Sequence, residues 1–294
     1  MTRVLITGAT GNVGLAVIKS LQSVYAESEN VPAMSITAGV RDVALDKQKL
    51  GAFDVECIKF DFTDTTTYES ALKNSHILFL LRPPQIADTE KYFKPLIETA
   101  KRVKMRHIVF LSVQGVEKSS WIPHHKIEAL IKESKIPYTF LRPAYFMQNF
   151  TTTLHSDLKQ KHLIFLPAHK TKFTLVDVRD IGDVAVKILK HPENHVGAAY
   201  ELTSNEKLNF VEIAQKLSDG LGLKIQYQSP NLLRFYLQKR KENVPAGYIL
   251  VLIMLHYLPR FQKEPALTQW IERITGKEPK TFEQFVSDNK NELI

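Results

Sequence analysis

Residues 4–14 read Val-Leu-Ile-Thr-Gly-Ala-Thr-Gly-Asn-Val-Gly, an apolar run that breaks into three spaced glycines and opens a helical pattern. Few local sequences constrain a fold more tightly. A buried strand must end in a sharp turn, which Gly8 permits, the backbone at Gly11 must stay bare, and Gly14 must let the following helix lie close on the strand. The N–H groups at the start of that helix, around Thr10, Asn12 and Val13, then point beyond the strand with the positive end of the helix dipole behind them. Such a cradle suits a pyrophosphate, so Gly8, Thr10, Gly11, Asn12, Val13 and Gly14 are expected to hold a dinucleotide.

The rest of the chain supports the fold this motif requires. Apolar runs at 4–7, 34–39, 55–60, 76–80, 107–111 and 138–142 alternate with helical periodicity at 13–24, 66–73, 89–103 and 126–134. That is the signature of successive βαβ units. The runs VLIT, ILFLL and IVFLS are almost wholly apolar, as strands covered on both faces must be. The expected fold class is α/β, a Rossmann-like doubly wound parallel sheet. After Arg142-Pro143 the alternation weakens, 173–189 reads as a strand and a helix, and 199–202 as a further strand returning to the main sheet. From 209 onward, helices punctuated by Pro and Gly predict a small, mostly helical C-terminal substrate region. The expected organisation is a dinucleotide-binding domain over 1–150, revisited at about 173–203, interleaved with a substrate or cap region over 151–294.

Composition narrows the partners. The 294 residues are 44% hydrophobic and 24% charged, as in ordinary globular proteins, but carry a net charge of +8. A basic excess raises nucleic acid or an anionic membrane as a partner. The cations are scattered, however, and clusters such as Lys239-Arg240-Lys241 are short and fall in helical patterns without any nucleic-acid-binding motif. Neither nucleic acid nor a membrane is expected as a partner. Cys57 stands alone, which excludes an internal disulfide and a thiolate metal cluster, and no metal is expected. The first residues lack the apolar run and cleavage site of a signal peptide, so a cytoplasmic location is expected. The most apolar later stretch, 248–255, is shorter than the ~20 residues that span a bilayer, and a buried or groove-lining helix is expected there.

Specificity for the adenosine ribose is read at the end of the second strand, Ala38-Gly39-Val40-Arg41-Asp42. Arg41 can fork onto a 2′-phosphate, which favours NADP(H). Asp42 either accepts from ribose hydroxyls, which leaves NAD(H) open, or caps the next helix. Asp61 and Phe62, after the third strand, face a similar alternative between receiving the adenine amino group and closing a turn. Leu81, Arg82 and Pro83 follow the fourth strand on the ligand-binding edge, where prolines would stiffen the backbone beside the cofactor.

GATGNVG at the start, FLSVQG at 110–115, HHKIEALIKESKIPYTFLRPAYFMQNF at 124–150 and VDVRDIGDVA at 176–185 together resemble the NmrA-like branch of the atypical short-chain dehydrogenases, over residues 1–205. Members of that branch include quinone reductases, isoflavone-reductase-like enzymes and redox-sensing regulators. Ordinary short-chain dehydrogenases pair a serine after the fifth strand with a tyrosine and a lysine four positions on. Ser112 is kept, whereas His124 and Glu128 stand where the tyrosine and lysine would fall. The resemblance implies that Ser112, His124, Glu128 and Lys126 are catalytic candidates. A histidine with a reference pKa of about 6.5 suits proton donation, and Glu128, one turn on, could orient it. The alternative is that they are helix-start and surface residues. The resemblance also implies that Pro143, Ala144, Tyr145 and Phe146 line the nicotinamide pocket, which Met147 and Phe150 would make soft and aromatic. Asp177 and Asp180 are read as fixing the returning strand and its helix.

The leading expectation is an NADPH-dependent oxidoreductase passing hydride to a quinone-like or other small, apolar, conjugated acceptor. The alternative is a non-catalytic redox sensor that senses the dinucleotide and signals to a partner protein. A nucleotide-sugar epimerase ranks third, because it normally needs the tyrosine and lysine.

Overall fold

The computed structural model describes residues 2–26 and 34–294. Its strands are β1 (Thr2–Thr7), β2 (Met34–Val40), β3 (Glu56–Lys59), β4 (Ile77–Leu81), β5 (His107–Leu111), β6 (Tyr138–Pro143), the short β7 (Tyr145–Phe146), β8 (Leu163–Phe165) and β9 (Phe173–Val176), then β10 (Ala198–Leu202), β11 (Lys207–Leu208) and β12 (Gln226–Gln228). Seven of them form one parallel sheet in the order β10-β6-β5-β4-β1-β2-β3. The strand order reverses between β1 and β4, and in such sheets a ligand lies at the carboxyl ends of the strands flanking that reversal. At this point Thr7 ties the two strands together: its hydroxyl donates to the Leu81 carbonyl at 3.1 Å and accepts from the Leu81 N–H at 2.8 Å.

The chain divides into two compact units. The first comprises Met1–Pro143, Val178–Leu202 and Trp270–Lys277. Its helices are α1 (Asn12–Ala26), α2 (Val43–Lys49), α3 (Thr66–Leu72), α4 (Lys94–Arg102) and α5 (Pro123–Ser134). Farther along the chain α6 (His155–Lys161) belongs to the second unit, and α7 (Val178–Lys190) brings the chain back to the first. α7 packs along α1 at Gly182, where an added Cβ would stand 2.8 Å from the Ala16 carbonyl oxygen. Phe60, Tyr68, Phe93, Phe110 and Phe140 anchor an apolar cluster beneath α3, α4 and α5.

The second unit comprises Ala144–Asp177, Thr203–Gln269 and Glu278–Ile294. It holds a three-stranded sheet, β11-β9-β7, a two-stranded pair, β12-β8, and a core centred on Met147, Phe150, Phe210, Phe235, Phe282 and Phe285. Besides α6 it contains α8 (Phe210–Leu221), α9 (Leu232–Lys241) and α10 (Ala246–Tyr257).

The structure departs from the sequence expectations in four places. The strand at Phe173–Val176 pairs with β7 and β11 instead of joining the main sheet, and only Ala198–Leu202 returns there, beside β6. α2 is an additional helix: its seven residues carry too weak a periodicity to announce themselves, and the Asp42 side chain starts it. The helix expected over 89–103 opens as one π-helical turn, Thr89–Phe93, before α4, whose Pro95 lies in the first turn where a missing N–H costs nothing. The apolar helix expected to be buried or to line a groove, α10, buries only Ile249, Leu252 and His256.

Candidate functional site

The cradle is built by backbone. Gly8 adopts φ +60°, and the Gly11 N–H donates to its carbonyl at 3.0 Å. A Cβ at Gly14 would stand 2.4 Å from the Gly8 oxygen and 2.7 Å from the Ala9 Cα, so no larger residue fits under the turn. α1 starts at Asn12; Asn12 is exposed, Thr10 part-buried, and Val13 buried against the sheet.

The two readings of Asp42 separate here. Its carboxylate accepts from the Leu45 N–H at 3.0 Å and caps α2. Arg41 is exposed directly after β2, and its carbonyl oxygen receives the ammonium of Lys59, the last residue of β3. Two cations therefore flank the expected ribose position. Lys59 was not singled out from the sequence, because a lysine ending a strand reads as a solvated end; only the parallel pairing of β2 with β3 brings it to Arg41.

Asp61 takes the turn-closing role: one carboxylate oxygen accepts from the Thr63 N–H and hydroxyl, both at 2.8 Å. Burial tends to raise its pKa, but these bonds and the charges of Arg41 and Lys59 prevail and hold the carboxyl below its usual range. The Phe62 ring is buried in the core, 4.9 Å from Phe60 and 5.3 Å from Phe93, which leaves only its backbone for a ligand.

On the other side of the sheet reversal, Leu81 lies beneath Gly8. The Arg82 guanidinium is folded back: Nη1 donates to the carbonyls of Pro83 and Pro84 at 3.1 Å and of Ile86 at 2.8 Å, and Nε donates to His124 Nε2 at 3.3 Å. No carboxylate pairs with it among the described residues, and burial pushes its pKa down to about 10. Ser112, at the end of β5, is 2% exposed and its hydroxyl has no hydrogen-bond partner.

His124 and Glu128 both lie on α5, which starts at Pro123, ahead of the expected 126–134, and Glu128 does not turn to His124. Glu128 instead receives the Arg142 guanidinium in a fork, from Nε at 3.0 Å and Nη2 at 2.7 Å, while Nη1 reaches Glu117 at 3.3 Å. His124 is packed on Phe110 with ring centroids 6.1 Å apart. Burial, and then the charge of Arg82, press its pKa down to about 3. The ring is neutral at physiological pH, and its Nε2 accepts from Arg82. Lys126 is exposed on the same helix.

The Pro143 carbonyl, at the end of β6, accepts the Gln114 N–H at 3.0 Å. Within the second unit, Ala144 and Phe146 are part-buried, while Met147 and Phe150 are wholly buried core residues and line no open pocket. Tyr145 packs against Phe173, Phe210 and His256. His256 Nδ1 lies 2.7 Å from the Leu252 carbonyl and must carry the proton, so Nε2 accepts from the Tyr145 hydroxyl at 3.1 Å. Burial raises the Tyr145 pKa, and it lowers that of His256 to about 4. Asp177 accepts from Gln148 at 2.9 Å, a structural bond.

A backbone turn that packs on its helix only because Gly14 lacks a Cβ, cations flanking the ribose edge and an orphaned hydroxyl at the end of β5 fit a bound dinucleotide. Comparison with known proteins agrees. Prestalk A differentiation protein A of Dictyostelium discoideum is 29% identical over 287 residues, spanning 97% of this chain and 91% of that one. An NAD(P)H azoreductase of Xenophilus azovorans is 25% identical over 96% of both chains. The structure of the NADPH-dependent quinone oxidoreductase QOR2 of Escherichia coli, complexed with NADPH, superimposes with a TM-score of 0.83, covering 97% of this chain and 99% of that one at 23% identity. Residues 1–284 match the NmrA-like family as a whole. With its glycine turn, its doubly wound sheet and this match over nearly its full length, the chain belongs to the NmrA-like family.

Proposed function

We propose that the chain is an NADP(H)-dependent oxidoreductase that reduces a quinone-like or other small conjugated acceptor in the cytoplasm. The observation that carries this reading is the division of labour at the end of β2: Asp42 Oδ1 caps α2, while the cations Arg41 and Lys59 stand together at the ribose edge. The names of the azoreductase and the quinone oxidoreductase support the choice of acceptor.

When bound, the cofactor supplies a hydride. The chain's own residues bind and polarise. The glycine turn receives the pyrophosphate, Arg41 and Lys59 hold the 2′-phosphate, and the Ser112 hydroxyl gains the partner it lacks. Pro143, at the end of β6, is the residue of the first unit placed for the nicotinamide end of the cofactor. Arg82, a cation without a carboxylate partner and pinned by three carbonyls, stabilises negative charge developing on the acceptor. Neutral His124 holds the guanidinium through Nε2, and the proton that completes the reduction comes from water.

The test is to follow the absorbance of NADPH with purified protein and a panel of quinones and azo dyes, with NADH in parallel. Acceptor-dependent oxidation supports the reading, and cofactor binding without turnover overturns it. The redox-sensor reading is favoured by one observation, the lack of a charged acid at His124. Calorimetric titration showing strong preference for the oxidised dinucleotide, without turnover, would establish it.

A further inference from the structure

Residues 243–259 contain no Asp, Glu, Lys or Arg, and a helix apolar all round belongs in a core or in lipid. α10, which lies in this stretch, commits only Ile249, Leu252 and His256 to the core. Tyr248, Leu250 and Leu255 on it, and Leu258 and Phe261 after it, face solvent, with Leu250 59% and Phe261 71% exposed. α9, packed on α10, adds Leu233 at 68% and Leu237. Eight of the thirteen exposed large apolar side chains among the described residues therefore fall between Leu233 and Leu267. Such a concentration of exposed apolar side chains on two packed helices and the turn after them marks a surface that something covers.

The charge around the patch identifies the cover. Across 232–263 six lysines and arginines stand against one glutamate, so this stretch holds +5 of the chain's net +8. Lys239 is used internally, paired with Asp157 and Glu242. Arg234, Arg240, Lys241, Arg260 and Lys263 are exposed, and none pairs with a carboxylate among the described residues. Arg260 lies 4.6 Å from the Tyr257 ring centroid and 5.8 Å from that of Phe261, joining a cation to aromatic rings. An apolar centre flanked by cations is the composition of a segment lying in the plane of an anionic membrane surface. A second copy of the chain would set these cations against themselves, a repulsion that disfavours self-association through this face.

We infer that α9, α10 and the turn after them form a peripheral docking surface for an anionic lipid bilayer. The exposed leucines and Phe261 enter the boundary between headgroups and acyl chains, and the cations meet the lipid phosphates. At 12 residues α10 is about 18 Å long and lies along the surface; no helix among the described residues is long and apolar enough to cross a membrane. The inference is independent of the oxidoreductase reading and needs no cofactor.

Flotation of the full chain with vesicles tests it, using phosphatidylcholine alone against phosphatidylcholine containing about a third phosphatidylglycerol. The chain is expected to float with the anionic vesicles at least tenfold more than with the neutral ones, and to detach near 1 M salt, where the screening length falls to ~3 Å. Leu250→Asp is expected to cut partition about tenfold, and the double change Arg240→Glu, Lys263→Glu by more, at about fivefold per removed charge. The urea midpoint confirms that each variant is folded, and the charge variant carries the test if Leu250→Asp is not. No flotation of the native chain, equal flotation with both vesicles, or unchanged flotation of folded variants overturns the inference. A dimer that Leu250→Asp dissociates, without vesicle binding, also overturns it and identifies a second copy as the cover.

Discussion

Arg41 and Asp42 are adjacent, yet the structure gives them opposite tasks, because a carboxylate at a helix N-cap satisfies a backbone N–H that otherwise lacks a partner. Arg41→Ala is therefore expected to weaken NADPH binding about tenfold to hundredfold, in line with ~1.5–3 kcal/mol for a hydrogen bond to a charged group. NADH binding should change little. Fluorescence titration of both cofactors checks this, and equal losses would remove the case for phosphate recognition. Lys59→Ala should shift binding in the same direction. At Arg82 and His124 the expectation concerns pH. With the His124 pKa near 3, turnover should show no histidine step between about pH 5 and 8, and His124→Gln should leave the shape of the pH profile unchanged. Arg82→Ala should lower kcat while NADPH affinity holds; if it moves only affinity, the role given to its charge is wrong.

Three contacts between elements leave little room for substitution. A Cβ at Gly14 meets the Gly8 oxygen at 2.4 Å, so Gly14→Ala must push α1 off the turn and should abolish dinucleotide binding as well as lower stability. Gly182→Val overpacks the contact of α7 with Ala16 and Ser20 of α1, at a cost of about 1–3 kcal/mol, read as a lower urea midpoint. The fork between Arg142 and Glu128 joins β6 to α5 with side chains only 15% and 5% exposed. Glu128→Ala removes the forked carboxylate from that guanidinium and should destabilise the fold by about 3 kcal/mol or more. Glu128→Gln, which keeps one acceptor, should lose less. An effect on turnover with stability intact would instead support the catalytic role the sequence suggested.

For the molecule as a whole, acid is the informative variable. His107, His124 and His256 have pKa values pressed by burial to about 4, 3 and 4. The unfolded chain titrates its histidines near 6.5, so between about pH 6.5 and 4 it binds more protons than the native state. Stability rises with pH wherever the unfolded state binds more protons. The contribution of these three rings is thus complete above about pH 6.5 and lost as pH falls. The urea midpoint should drop steadily from pH 7 toward pH 4.5, and a flat profile would mean that the rings are not buried neutral. Glu242, held near 2 by Gln238, Lys161 and Lys239 against the opposing effect of burial, adds its loss only below about pH 4.5.

The sequence by itself determined the parallel sheet, the positions of its first six strands along the chain and the glycine turn. Each of these is a local demand: an apolar run that must be covered on both faces, a turn only glycine can make, a helix that must approach closely. Ser112, Arg41 and Arg82 were legible for the same reason, since each follows directly on a strand whose end could be read. Tertiary structure alone decided what those side chains do. Lys59 reaches Arg41 through the pairing of β2 with β3, Glu128 turns to Arg142 because β6 lies beside its helix, and His124 becomes neutral because Phe110 and Arg82 surround it. Charge state and partnership depend on neighbours distant in sequence, which periodicity and spacing do not encode. The same holds for α10, whose composition reads as a core helix and whose exposed face appears only once the second unit has folded.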